Sequence, residues 1–225
     1  MGIQSHAERT RGFQELIGDR CWLDLASAGS QARFARGEPV MSQGSRGGEV
    51  LMLLSGRVKI TYEASDGSQA LLAIRGGGDL LGEFSSDDAS PRSATVWAME
   101  SCTCRRFARS RFVDLTDDPR LRSRLDRYRN AKLRESADFT WRIANLRPEA
   151  RIASLLLTVM AAAGPGRHIS DVVPMSQEEL ARCFGLARRT VSKILGDWRQ
   201  RGVVETGRSR IQVLGPDLLA AIANP

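Results

Sequence analysis

Residues 175–201 read MSQEELARCFGLARRTVSKILGDWRQR, and this stretch decides the fold. Ser176 precedes Glu179 by three residues, the pattern in which a side-chain oxygen and a carboxylate reciprocally cap a helix start. Leu180, Ala181 and Phe184 supply an apolar face, and Gly185 lets the chain turn. A second helix starts near Ala187, with Val191, Ile194, Leu195 and Trp198 spaced to face inward. Helix, tight glycine turn and helix make a helix-turn-helix layout. On the outer face of the second helix stand Arg188, Arg189, Ser192 and Lys193.

Charge supports the assignment because of where it falls. Residues 175–213 hold eight Lys/Arg and four acids; residues 186–201 hold five basic residues and only Asp197. A cationic helix start is where a recognition helix meets base edges. Arginine can donate twice to guanine O6 and N7, and Thr190 and Ser192 carry hydroxyls suited to phosphate. Downstream, Val203–Thr206 and Ser209–Val213 pair around Gly207-Arg208 as a wing, bringing Arg208 and Arg210 to the backbone of a duplex. Ser176 and Gln177, opening the first helix, complete the set of expected DNA contacts.

Working outward, Pro119 opens a run without Gly or Pro that lasts to Pro148. Proline is favourable in a first helical turn, and Asp117 or Asp118 can cap it. A helix of about 29 residues would span about 43 Å. Leu125, Leu133, Ser136, Thr140 and Ile143 share one face with Arg129; Leu121, Tyr128 and Phe139 lie on a neighbouring face. The first face reads as a dimer seam with polar positions at its middle. The alternative is a helix packed on its own domain. A further helix covers Glu149–Ala163, ended by Gly164-Pro165-Gly166, with a domain boundary near Leu146–Pro148.

Upstream, residues 29–107 read as β structure. Short apolar runs at Val50–Leu54, Val58–Tyr62, Ala70–Ile74, Leu80–Leu81, Ser93–Met99 and Cys102–Phe107 are separated by turn signals. Asp66-Gly67 is the strongest of these, since Gly accepts positive φ. Strands this short and evenly spaced predict a small sandwich or barrel.

Composition bounds the rest. The chain has 225 residues, enough for two domains. Net charge is +7 and the pI about 9.9, a balance that favours a polyanionic partner. No run approaches the roughly 18 apolar residues of a membrane span, and residues 1–10 lack a secretory core, which predicts a cytoplasmic protein with no membrane partner. Cys21, Cys102, Cys104 and Cys183 show no metal-ligand spacing, and His6 and His168 are isolated. Neither a Ser-His-Asp constellation nor a phosphate-binding Gly-Lys loop is present, so an enzyme is not expected. Neither is a metal, haem or iron–sulfur cluster.

The order of β domain, long helix and winged helix-turn-helix resembles the cyclic-AMP receptor protein/FNR (Crp/Fnr) family of bacterial regulators, over residues 29–214. Two motifs carry the resemblance. Gly82-Glu83-Phe84 with Arg92-Ser93-Ala94-Thr95-Val96 looks like the family's phosphate-binding cassette. The likeness implies that Gly82, Glu83, Phe84, Arg92, Ser93 and Ala94 surround cyclic AMP or cyclic GMP. Arg92 and Ser93 would take the phosphate and Glu83 the ribose hydroxyl, with Ser136 on the long helix near the base. Leu186–Lys193 resembles the recognition helix. At Arg189 some members carry a glutamate, so the half-site here should differ. The cassette also departs from the pattern, with Ser85-Ser86-Asp87-Asp88 where apolar residues are usual.

The resemblance implies an α+β architecture in three parts. Residues 1–118 are a cyclic-nucleotide-binding-type β-barrel (jelly roll), 119–147 the dimerisation helix and hinge, and 148–225 the DNA-binding domain. It implies a homodimer on an inverted repeat in double-stranded DNA, with RNA polymerase as a partner. The alternative is a ligand-independent regulator with a vestigial pocket.

Overall fold

The computed structural model describes residues 12–84, 91–163 and 170–224. Two short helices, α1 (Phe13–Ile17) and α2 (Asp19–Ser27), precede eight strands. These are β1 (Ser30–Phe34), β2 (Pro39–Met41), β3 (Glu49–Ser55), β4 (Arg57–Glu63), β5 (Gln69–Gly76), β6 (Leu80–Leu81), β7 (Thr95–Ala98) and β8 (Cys102–Ala108). They form two four-stranded antiparallel sheets, ordered β1-β8-β3-β6 and β2-β7-β4-β5. The jelly-roll expectation holds, but the sheets do not close into one barrel. No ladder joins β5 to β6 or β1 to β2 among the described residues, so each sheet keeps its edges. Between the sheets, Leu51, Leu53, Val58, Leu81, Val96, Cys102 and Cys104 form the core. The two inner cysteines are small apolar fillers, and burial pushes both thiols up, Cys104 to about 12. At the β4–β5 hairpin, Ser68 N donates to Asp66 Oδ1 beside Gly67 at φ 81, as the Asp-Gly pair predicts.

After α3 (Arg109–Leu115) the long helix α4 runs Pro119–Asn145. Asp118 caps it, accepting from the backbone of Arg120 and Leu121. The structure bears out the packing of this helix on its own chain, and two residues of the expected seam, Leu125 and Ile143, are taken up by it. Its N-terminal half is fixed to the β domain: Leu125, Tyr128 and Lys132 are buried, and Leu121, Leu125 and Tyr128 join Phe13, Trp22 and Leu80 in one cluster. Phe139 and Ile143, farther along, pack on the C-terminal domain. Leu133 and Trp141 stay exposed at 57% and 59%.

The C-terminal domain comprises α5 (Pro148–Ala161), β9 (Val172–Val173), α6 (Gln177–Phe184), α7 (Arg188–Gln200), β10 (Val204–Gly207), β11 (Arg210–Val213) and α8 (Pro216–Ala223). The wing is a three-stranded sheet, β10-β11-β9. The domain docks on the β4–β5 face. Leu71, Ile74 and Met99 belong to the same apolar cluster as Ile152, Leu155 and Val159 of α5. At Gly76 even a Cβ would lie 1.7 Å from the carbonyl oxygen of Ala162, so this close approach requires glycine. Arg57, 2% exposed, donates to Glu100 through Nε and Nη2 and to the carbonyls of Val159 and Val172 through Nη1.

Candidate functional site

The head that α6 and α7 form is built from local rules. Ser176 Oγ accepts from Glu179 N at 3.1 Å, and Glu179 Oε2 accepts from Ser176 N at 2.9 Å. This reciprocal cap contributes about 0.5–2 kcal/mol to the helix. Gly185, at φ 60, ends α6 in the left-handed conformation and starts the turn. Val191, Ile194, Leu195 and Trp198 of α7 are buried against α6 and the wing. That leaves Arg188, Arg189, Ser192 and Lys193 exposed, with Thr190 half-buried beside them. Arg188 meets Glu178 at 3.8 Å, both in solvent, where such a pair is worth little and separates readily. Ala187 at the α7 start supplies no side-chain cap, and Thr190 N already donates to Ala187 O at 2.9 Å, so it is the Arg188 and Arg189 N–H groups that face outward for an external acceptor such as phosphate.

Two details refine the sequence reading. Ser192 Oγ donates to Gln177 Oε1 at 2.7 Å, so its hydroxyl proton is already used. Ser192 and Gln177 tie α7 to α6, and Ser192 would meet a duplex as an acceptor. Arg208 and Arg210 stand exposed on the wing as expected. The wing is also held from behind, since Arg36 Nη2 donates to Ser209 O at 2.8 Å and to Pro174 O at 3.0 Å.

The second site lies in the β domain. Gly82, Glu83, Phe84, Arg92, Ser93 and Ala94 all line one cavity of about 260 Å³, floored by Met41, Leu81 and Val96. Gly82 is required twice over. Its φ is +80, and a Cβ there would sit 2.7 Å from Arg92 Nη1. Arg92 Nη2 donates to Glu49 O at 2.9 Å, which holds the guanidinium at the cavity wall. Glu83 is 3% exposed. Burial raises its carboxyl to about 7, against the opposing pull of the Arg75 charge. Residues Ser85-Ser86-Asp87-Asp88 lie outside the described residues, as do His6, His168 and Gly164-Pro165-Gly166.

Ser136 does not join this cavity. It is half-buried on α4, and its carbonyl accepts from Thr140 Oγ1. The α4 residue that reaches the site is Arg129, whose Nη2 donates to Glu83 O at 2.8 Å. Sequence reasoning also missed Arg75. It is 3% exposed at the end of β5, lines the cavity, and pairs with Glu135 of α4 at 3.3 Å. Glu135 in turn meets Lys132 at 3.1 Å, and Lys132 meets Asp79 at 3.1 Å. Tyr128 Oη donates to Asp79 Oδ1 at 3.3 Å and accepts from Leu80 N at 3.0 Å. A buried chain of charges thus joins the cavity to the long helix. The signal was Arg75 and Asp79 interrupting the otherwise apolar LLAIRGGGDLL, residues 71–81.

A third polar group spans the two domains. Lys59 of β4 donates to Glu179 Oε1 at 2.8 Å, and Arg36 approaches Glu179 at 4.0 Å. Burial opposes ionisation of Glu179, but the Lys59 bond and the Ser176 bonds outweigh it and hold the carboxyl below its ordinary range. The carboxylate that caps α6 also fastens the head to the sheet.

Comparison with known proteins covers the same two regions. Residues 31–118 match the family model of the cyclic nucleotide-binding domain, and residues 150–222 match that of the Crp-like helix-turn-helix domain. The chain is 29% identical over 192 residues to a CRP-like cAMP-activated global transcriptional regulator of Mycobacterium tuberculosis, covering 83% of this chain and 85% of that protein. It is 29% identical over 204 residues to the cyclic AMP receptor protein of Thermus thermophilus, covering 89% and 92%. A solved CRP-family transcriptional regulator from Thermus thermophilus superposes with a TM-score of 0.72 at 25% identity, covering 86% of this chain and 97% of that one. FixK2 from Bradyrhizobium japonicum shares the fold, with a TM-score of 0.72 at 19% identity over 88% and 98%.

Proposed function

The chain belongs to the Crp/Fnr family of transcription regulators, and on that premise we propose that it is a cytoplasmic homodimer gated by a cyclic nucleotide. In this reading residues 1–118 sense the ligand, 119–147 form the dimer helix and hinge, and 148–225 bind an inverted repeat in duplex DNA and engage RNA polymerase. Relatives named for cyclic AMP support the ligand class. The observation that carries gating is the convergence of residues 82–84 and 92–94 on one cavity. Arg92 offers a planar fork for a phosphate, Ser93 a hydroxyl, and Glu83 an acceptor for a ribose hydroxyl.

The outward face of α4 gives the dimer its seam. Leu133 and Trp141 stay exposed on the side of the helix away from Lys132, Glu135 and Phe139, and pairing two such helices would bury both. Ligand binding would act through Arg75 and Glu135, which link the cavity to that helix. A ligand shifts such an equilibrium only by its differential affinity for the two arrangements.

Calorimetry with cyclic AMP and cyclic GMP tests the gating. Wild type should give saturable heat with one of them, and Arg92→Ala should lose it. If neither nucleotide gives heat or changes DNA affinity, the protein is a ligand-independent regulator with a vestigial pocket. The contact of Arg92 with the Glu49 carbonyl is the feature that favours this second reading.

A further inference from the structure

Where the β domain, the long helix and the DNA-binding domain meet lies a second cavity, of about 370 Å³. Protein interiors are close-packed, with few voids larger than a water, and this volume falls in the range of small-molecule sites. The space is kept open by short side chains, chiefly Ala73 of β5, Ala162 after α5 and Ala220 of α8, and Ile74, Phe139 and Leu157 add to its apolar surface. It is separate from the cavity of residues 82–84 and 92–94. The Arg75–Glu135 pair stands between them, Arg75 lining the first and Glu135 the second.

Its polar groups divide into two kinds. At one end Asp79, Lys132 and Glu135 are neutralised together with Arg75 in the ion pairs described above. At the other, Arg142 of α4 is half-buried and Nη1 donates to Ser154 Oγ at 2.8 Å. A guanidinium carries five donors in a fixed fork that matches a carboxylate. Asp138, one turn earlier, is exposed at the rim.

We infer that this cavity binds an amphipathic monocarboxylic acid, its apolar chain or ring among Ile74, Phe139 and Leu157 and its carboxylate on Arg142. All three bodies of the chain contribute to its wall, so an occupant favours the docked arrangement of the head by its differential affinity for that arrangement. The site therefore gives the regulator a second input, apart in place from the cyclic-nucleotide pocket and coupled to it through the shared docking equilibrium.

Decanoate, below its micellar concentration, and uncharged decanol are suitable probes for the full-length protein. Decanoate should bind saturably and at least tenfold more tightly than decanol. Arg142→Gln should weaken decanoate about tenfold and leave decanol unchanged, and Ala220→Trp, which fills the space, should abolish both. In excess cyclic AMP decanoate should still bind saturably, its affinity changed by at most a fixed factor, as two sites coupled through one equilibrium require, and Arg92→Ala should not weaken it. Equal affinity for the two probes in wild type, no saturable binding, or competitive displacement by cyclic AMP without limit would each overturn the inference. The first two need no variant, so they stand if Ala220→Trp fails to fold. Decanoate binding in a protein that gives no heat with cyclic nucleotides would sink the gating proposal and leave this one intact.

Discussion

Around α7 the working groups and the structural groups are different residues. Arg188, Arg189 and Lys193 stand in solvent, while Val191, Ile194, Leu195 and Trp198 behind them carry the packing. Around the nucleotide-sized pocket the two sets coincide. Glu83 and Arg75 line it and Asp79 and Lys132 stand behind them in the same ion-pair network, each at most 3% exposed, so the charges that would shape a ligand site also help hold β5, β6 and α4 together. The contrast teaches what each region tolerates. A DNA-reading surface can change its preference one side chain at a time, because nothing structural leans on those side chains. A pocket built from buried charges cannot, because each charge is another's partner.

The largest effect that would sharpen this contrast is expected at Asp79. Its removal takes from Lys132, 2% exposed, one of its two carboxylates, and from Gly76 N and Tyr128 Oη an acceptor. Breaking a buried pair outright costs about 3–5 kcal/mol, and the Glu135 that remains offsets part of this. Asp79→Ala should therefore unfold at markedly lower denaturant than wild type, and an unchanged midpoint would show that the buried network carries no stability. Next comes Gly82→Ala, where the new Cβ would meet Arg92 Nη1 at 2.7 Å and Glu49 O at 2.8 Å at a φ unsuited to alanine. About 1–3 kcal/mol of strain is expected, with any nucleotide binding lost alongside. Retention of full stability would break the claim that site and scaffold coincide there.

Glu83 adds a dependence on pH. The folded carboxyl titrates near 7, above its ordinary 4.5, because it is buried. Between those values the unfolded chain releases a proton that the folded chain keeps. Stability therefore falls as pH rises through that window and levels off above about 7. Thermal melting across the window should show the decline in wild type and a flatter profile in Glu83→Gln. Parallel profiles would mean that Glu83 does not titrate there. The smallest effect on folding belongs to the head. Arg188→Ala should leave the melting temperature unchanged while costing roughly 1–3 kcal/mol of affinity on the correct DNA site.

The same contrast explains what the sequence disclosed. The helix-turn-helix was legible because its signals are local. Ser176 and Glu179 are three residues apart, Gly185 marks the turn, and the apolar spacing of α7 is helical throughout. The strands were legible from alternation and from Asp66-Gly67. The cassette residues 82–84 and 92–94 were found by resemblance, and they do share one cavity. The network behind them was not legible, since Arg75 and Glu135 are 60 residues apart and single charges carry no periodicity. Nor was the docking of the head. Leu71 and Ile74 read as sheet core, and nothing local distinguishes a core between sheets from a face that receives α5. Helices α1 and α2 and strand β9 are too short for a periodic pattern, and Ser136 sits off the pocket because the face of α4 that turns inward there is that of Arg129 and Lys132.

Selection of bound sequences from a random duplex pool tests most directly whether α7 reads base edges. Wild type should enrich an inverted repeat with half-site centres about one helical turn apart. Arg188→Ala should relax the preference at one base pair in each half-site while keeping the rest. A pool that shows no enriched repeat, or an Arg188→Ala variant that weakens on every sequence alike, would contradict it.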